Sequence, residues 1–245
     1  MKYLRNHRLL PGLAAMGLLW SSSPAVQAAS AFASGATLTY TINSVANLDH
    51  PGNLSDLSIL GSFVQAGSPD SYAVTTGDGA VSADNPSIGP LAADGGFAHS
   101  FALSGSAGVG TVDTSYLGQF AVDFSNAGAD HYAIGVSLDY QLNASVGGEN
   151  ADSSVYLDYY NADSSFAGSD YLNAALLGLP IDSKSGSSGL YSFNLGPGGS
   201  QSLYGDVVIN GNLAGTTAAV PLPAAVWLFG SGMLGVFGAA RRRKV

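Results

Sequence analysis

The chain has 245 residues, no cysteine and a formal charge of −9. A chain of this size supports one domain with a core of its own, and the missing thiols remove disulfide bracing, thiolate metal sites and cysteine catalysis together. Lys2, Arg5 and Arg8 sit at one end and Arg241, Arg242, Arg243 and Lys244 at the other, so Lys184 is the single basic residue between them. That middle stretch holds all seventeen acids, sixteen Asp and Glu149, and one lysine against seventeen acids is a formal charge of −16. Nucleic-acid binding needs Lys and Arg to displace counterions from phosphates, so nucleic acid is excluded as a partner, and anionic lipid surfaces are disfavoured. Divalent cations, cationic polymers and neutral sugars are left.

Residues 1–28 read as a secretory signal peptide. Lys2, Arg5 and Arg8 form its positive start, 9–20 an apolar stretch too short for a stable span, and Val26-Gln27-Ala28 the small-residue cleavage site, with the cut after Ala28. Residues 29–215 then form the expected folded domain. Within 131–146, Tyr132, Ile134, Val136, Leu138, Tyr140 and Leu142 alternate strictly with Ala133, Gly135, Ser137, Asp139, Gln141 and Asn143, a long half-buried strand. Further strands are expected over 37–42, 57–65, 71–76, 97–103, 119–124, 155–160, 190–195 and 202–209, separated by turn signals such as Asp78-Gly79, Gly147-Gly148 and Gly196-Pro197-Gly198-Gly199. One short helix is expected over 171–179. Asn150-Ala151-Asp152-Ser153-Ser154 recurs as Asn161-Ala162-Asp163-Ser164-Ser165, read as two similar turns flanking the strand 155–160. These elements predict an all-β, antiparallel β-sandwich, jelly-roll-like, with an unreadable strand order.

The tail, 216–245, is of another kind. Val220, Pro221, Leu222 and Pro223 form a stiff extended segment, because each proline also restricts the residue before it. Residues 224–240 carry no charge and just reach the length of a transmembrane helix, which needs about 17–25 apolar residues. Pro223 suits the helix start. Arg241, Arg242, Arg243 and Lys244 form a basic stop that stays cytoplasmic, which places the bulk of the chain outside.

Val220-Pro221-Leu222-Pro223-Ala224, with Trp227 to Gly232 and the arginine cluster behind it, resembles the PEP-CTERM class of bacterial sorting signals in its VPLPA-CTERM variant. The glutamate usual between the two prolines is Leu222 here, as in that variant. The resemblance covers about a tenth of the chain. It implies a Gram-negative host, an inner-membrane intermediate, recognition by an exosortase-type membrane protease or transpeptidase, removal of the tail near the prolines, and delivery to the cell surface or an exopolysaccharide matrix. It implies nothing about the fold upstream.

Candidate chemistry in the domain is sparse. His50, His99 and His131 lack helical metal-ligand spacing and read as surface or edge histidines, and no metal site is assigned. No G-x-S-x-G occurs. The single Glu149 sits in a turn, whereas glycoside hydrolysis needs two carboxylates facing each other across a cleft. The domain is therefore read as non-catalytic and without a cofactor, a structural or adhesive component. The alternative is a carbohydrate-binding module of the exopolysaccharide; a secreted hydrolase ranks last. Structural calcium, which takes loop oxygens, would draw on Asp78, on Asp84 with Asn85, on Asp94, or on Asp152 with Asp163. A sugar would use Tyr156, Asp158 and Tyr160, which share one face of their strand: aromatic rings stack on a pyranose while the carboxylate bonds its hydroxyls.

Overall fold

Alternating apolar and polar residues suit extended backbone, whose successive side chains point to opposite faces. The computed structural model describes residues 29–65, 72–84, 95–148, 150–175 and 177–215. They form eleven strands and no helix: β1 (Ser30–Asn47), β2 (Leu57–Gln65), β3 (Tyr72–Thr76), β4 (Ala80–Asp84), β5 (Gly96–Ala107), β6 (Thr111–Asn126), β7 (Tyr132–Gly147), β8 (Ala151–Asn161), β9 (Ala167–Ala175), β10 (Ile181–Leu195) and β11 (Ser200–Ala214). These residues lie within one compact unit, Gln27–Ala219. The signal peptide with its cleavage residue Ala28, the sorting motif, the apolar run and the basic stop lie outside the described residues.

The strands form two antiparallel sheets. The first runs β10-β7-β1-β5-β4; the second runs β2-β6-β11-β8-β9, with β3 continuing the β2 edge along the other half of β6. The pairs β8–β9, β7–β10 and β6–β11 nest around the β8–β9 connection and alternate between the sheets. β1 fills the gap between β5 and β7, with register from Ser30 opposite Ala107 to Asn47 opposite Tyr132.

Burial follows the period-two rule. β6 alternates exposed or half-buried residues with buried Val112, Thr114, Tyr116, Gly118, Phe120, Val122 and Phe124. The inward rows of both sheets make one core, in which Leu38, Tyr40 and Leu138 of the first meet Phe120, Leu157 and Val207 of the second. Each fully buried aliphatic or Phe side chain of this kind contributes about 1.5–3 kcal/mol. An aromatic seam crosses the core: Phe97 meets Phe120 edge-on at 4.4 Å, Tyr40 meets Phe120 at 5.5 Å, and Phe166 meets Tyr191 at 5.1 Å. Offset and edge-on contacts suit the ring quadrupole. The buried Tyr40 hydroxyl donates across the layers to the Tyr204 carbonyl at 3.1 Å. Ser153 Oγ donates to the Asn210 carbonyl at 2.7 Å, so the 2.7 Å contact with Ser34 Oγ makes Ser34 the donor across the core. Phe32 fits only because Gly105 and Gly211 flank its ring; a Cβ at either would overlap it.

Several expectations need correction. The described part of 171–179 holds no helix. Leu172 and Ala174 point inward along β9, which pairs with β8, and a turn follows in which Gly178 N–H meets the Ala175 carbonyl at 3.0 Å. The duplicated pentapeptide does not make two similar turns: the first copy starts β8, whereas the second is a turn with Ser164 at φ 60°. His99 is not a surface histidine. It is 3% exposed, in phase with Phe101 and Leu103, and stacks on Phe120 at 5.6 Å. Burial disfavours its charged form and lowers its pKa. The turn before β11 follows its sequence closely: Pro197 and Gly198 occupy its centre, Gly198 has φ 66°, and Gly199 N–H bonds the Gly196 carbonyl at 3.0 Å, the requirements of a type II turn.

Candidate functional site

The outer face of the second sheet brings exposed aromatic and acidic side chains together. On β8, Val155 and Leu157 turn into the core, so Tyr156, Asp158 and Tyr160 face out, as the alternation requires. Tyr156 is 38% exposed, so β8 is not buried on both faces. Strand pairing extends this row sideways. Tyr160 lies opposite Tyr204, Asp158 opposite Asp206, and Tyr156 opposite Val208, all on β11. On the other flank Tyr171 of β9, 53% exposed, lies opposite Tyr156. From β6, Gln119 lies opposite Asp206 and Leu117 opposite Val208.

Three parallel rows result. One is aromatic, Tyr204 with Tyr160, their rings 5.3 Å apart. The middle row is polar: Gln119, Asp206, Asp158 and Ser169. The third is Leu117, Val208, Tyr156 and Tyr171. Rows on one face of a sheet are about 7 Å apart along the strands. Gln119 Nε2 donates to Asp206 Oδ1 at 2.8 Å, and the Tyr160 hydroxyl donates to Asp206 Oδ2 at 3.0 Å. Partial burial, and then the neighbouring Asp206 charge, raise the Asp158 pKa. Burial and the same carboxylate raise that of Tyr160.

Sequence reasoning found Tyr156, Asp158 and Tyr160 but missed Tyr204, Asp206, Gln119 and Tyr171. A signal existed on β11, where Tyr204 and Asp206 repeat the Tyr-x-Asp alternation of β8.

Of the acids considered for calcium, the described Asp78, Asp152 and Asp163 are not gathered. Asp78 Oδ1 accepts three backbone N–H groups, from Gly110 at 2.8 Å and from Gly108 and Val109 at 3.0 Å. The Gly110 contact leads in lowering its pKa, and a carboxylate so engaged ties the β3–β4 turn to the β5–β6 turn. Asp163 is taken up by Ser165, whose hydroxyl and N–H both donate to it. Asp152 lies at the opposite end of β8 from Asp163. Asp84 ends β4, and Asn85 and Asp94 lie outside the described residues. Among the described residues, no group of three or more His, Asp or Glu is arranged to hold a metal ion.

Two further polar sites serve the fold. At one end of the molecule Asp49-His50 and Asp130-His131 pair crosswise: His50 Nδ1 meets Asp130 at 2.9 Å and His131 Nδ1 meets Asp49 at 2.9 Å. Asn47 also donates to Asp130, at 2.7 Å. At the open side of the sheets, Lys184 of β10 bonds Asp170 of β9, which also accepts the Tyr140 hydroxyl at 2.9 Å. Burial of Asp170 opposes its ionisation, but these donors outweigh it and lower its pKa, whereas burial and Asp170 push the Tyr140 hydroxyl up to about 12. An inward-pointing charge of this kind protects an edge strand from pairing with another chain. The outer face of the first sheet has a shallow depression of about 290 Å³, lined by small residues such as Ala33, Gly35, Thr37, Ser100 and Ser104. It offers neither an exposed ring nor a charge.

Comparison with protein-family models, with curated proteins and with solved structures finds no significant match.

Proposed function

We propose that this is an exported, non-catalytic adhesive protein of the cell surface or extracellular matrix, whose jelly-roll-like β-sandwich holds matrix polysaccharide on the outer face of its second sheet. The observation that carries the sugar reading is the outward placement of Tyr156 and Tyr171, side by side on adjacent strands next to Asp158. Exposed rings at this spacing make a flat shelf on which pyranose faces stack, and Gln119, Asp158, Asn173 and Asn210 supply hydrogen-bonding groups around it. The nested strand pairs support the jelly-roll-like description.

Export rests on the signal peptide ending at Ala28 and on the VPLPA-type tail. In this reading an exosortase-type enzyme acts at Val220–Ala224 while residues 224–240 hold the chain in the inner membrane, stopped by Arg241 to Lys244. One feature of the geometry supports the non-catalytic reading. Asp158 and Asp206 stand side by side on an open sheet, whereas glycoside hydrolysis sets its two carboxylates on either side of the scissile bond.

The test is retention on immobilised exopolysaccharide from the host. A Tyr156→Ala, Tyr171→Ala double variant should lose about tenfold or more in affinity, since each stacked ring removed costs about 1 kcal/mol or more. Both side chains are exposed, so the variant should keep the thermal midpoint of the parent. Unchanged retention would remove the shelf as the binding face.

A further inference from the structure

We propose that the glycan this shelf takes bears free amines, with Asp158 and Asp206 holding the ammonium groups of sugars that stack on Tyr156, Tyr171, Tyr160 and Tyr204. The inference rests on the glycan-binding reading above and narrows it to a substrate class: oligomers and polymers of de-N-acetylated hexosamine.

The argument starts from a local conflict. Residues directly opposite on neighbouring antiparallel strands have Cβ atoms about 4.5–5.5 Å apart, and like charges there destabilise the pair. Asp158 and Asp206 are such a pair. A pair selected for folding alone would be neutral or of opposite charge. Compensation from within the described residues is spoken for: Lys184 bonds Asp170, His50 bonds Asp130, and His131 bonds Asp49. His99 is in the core. The groups that reach Asp206, Gln119 Nε2 and the Tyr160 hydroxyl, are neutral. They fix the carboxylate without cancelling its charge. Burial first, and then the Asp206 charge, raise the Asp158 pKa, and only the second of these causes is that repulsion.

An outside cation would relieve it, and the aromatic rows say what should carry that cation. Tyr160 and Tyr204 lie one step along the strands on one side of the carboxylates, and Tyr156 with Tyr171 one step on the other. A sugar ring stacked on either row points an equatorial amine toward the acids, which stand about 7 Å away along the strand and extend up from the sheet. A neutral glycan would stack but leave the repulsion in place, and an anionic one would add to it. The −16 charge of the chain between its two signals favours approach of a polycation over long range.

The experiment measures binding of the full-length chain, kept in mild detergent, to three probes: a chitosan oligosaccharide, the fully N-acetylated oligosaccharide of the same length, and spermine. The wild type should bind the amine-bearing oligosaccharide about tenfold more tightly than the acetylated one at low salt, with the difference shrinking as salt rises. Asp158→Asn with Asp206→Asn should abolish that preference, weakening the amine-bearing probe far more than the acetylated one. Asp158→Asn alone, which leaves the hydrogen bonds to Asp206 in place, should reduce the preference and guards against a folding defect in the double variant. Tyr156→Ala with Tyr171→Ala should weaken both oligosaccharides together. As pH falls, protonation of Asp158 should weaken the amine preference while the amines stay charged. Equal binding of both oligosaccharides by the wild type overturns the amine assignment and leaves the glycan reading standing. Spermine binding as tightly as the amine-bearing oligosaccharide, with no effect of the tyrosine changes, overturns the proposal in favour of charge alone. Binding of none of the probes overturns the amine assignment, and the glycan reading then stands or falls by retention on the host exopolysaccharide.

Discussion

Replacing both Pro221 and Pro223 by alanine should leave the protein in the host's membrane fraction at full length, ending at Val245. The unaltered chain should appear at the surface or in the medium with an intact mass ending near the proline segment. The physical reason is local. Two prolines in 220–223 favour an extended backbone by their chemistry, and an extended backbone is what an enzyme cleft accepts. With alanines the helix expected over 224–240 is free to continue upstream, and helical backbone hides the bond to be cut. The effect should be close to all-or-none, because uncut chains keep the apolar run and its four terminal cations. A wild-type mass running through Val245, found only in membranes, would make the tail a simple anchor and remove the sorting interpretation.

The second large effect should come from the core. Phe120→Ala should destabilise the domain by about 3–5 kcal/mol, the usual loss for a buried Phe cut to Ala. Phe120 is fully buried and touches rings from both β1 and β5, with Tyr40 at 5.5 Å, Phe97 at 4.4 Å and His99 at 5.6 Å. Its removal leaves a hole where the two sheets meet, and the buried His99 loses its stacking partner. For a domain with a total stability of about 5–15 kcal/mol this is a fifth or more. Urea unfolding should show a lower midpoint at an unchanged slope, with Phe120→Leu losing clearly less. A loss under about 1 kcal/mol would mean that the seam does not carry the core as described.

Local pattern made part of this legible in sequence. The alternation in β7 and β8 fixed which side chains share a face, and with it the outward set Tyr156, Asp158 and Tyr160. It also held information that chemical type obscured. His99 is in phase with Phe97, Phe101 and Leu103, so period alone sends it inward; its polarity suggested the surface. Over 171–179 the expectation is a short helix, yet Leu172 and Ala174 alternate as a strand once β8 is present to pair with them. Propensity lost to tertiary pairing there, as it commonly does in sheets. The partners of the shelf were out of reach for another reason. Asp206, Tyr204 and Gln119 join Asp158 and Tyr160 only because β11 lies between β6 and β8, and that order is set by how the whole chain packs. Short-range pattern says which way a side chain points, not which strand lies beside it.

The face arrangement also divides labour within the molecule. Asp170, Asp78, Asp49 and Asp130 are each engaged by donors inside the domain and hold edges and turns. Asp158 and Asp206 repel one another on an open shelf.

The measurement that tests the glycan-binding face most directly is hydroxyl-radical footprinting of the full-length chain with and without the chitosan oligosaccharide, read by mass spectrometry. Oxidation of Tyr156 and Tyr171 should fall on binding, while Leu190, 68% exposed on β10 in the other sheet, should be unaffected. Protection confined to the first sheet, or bound sugar with Tyr156 and Tyr171 as reactive as before, would contradict the assignment of this face.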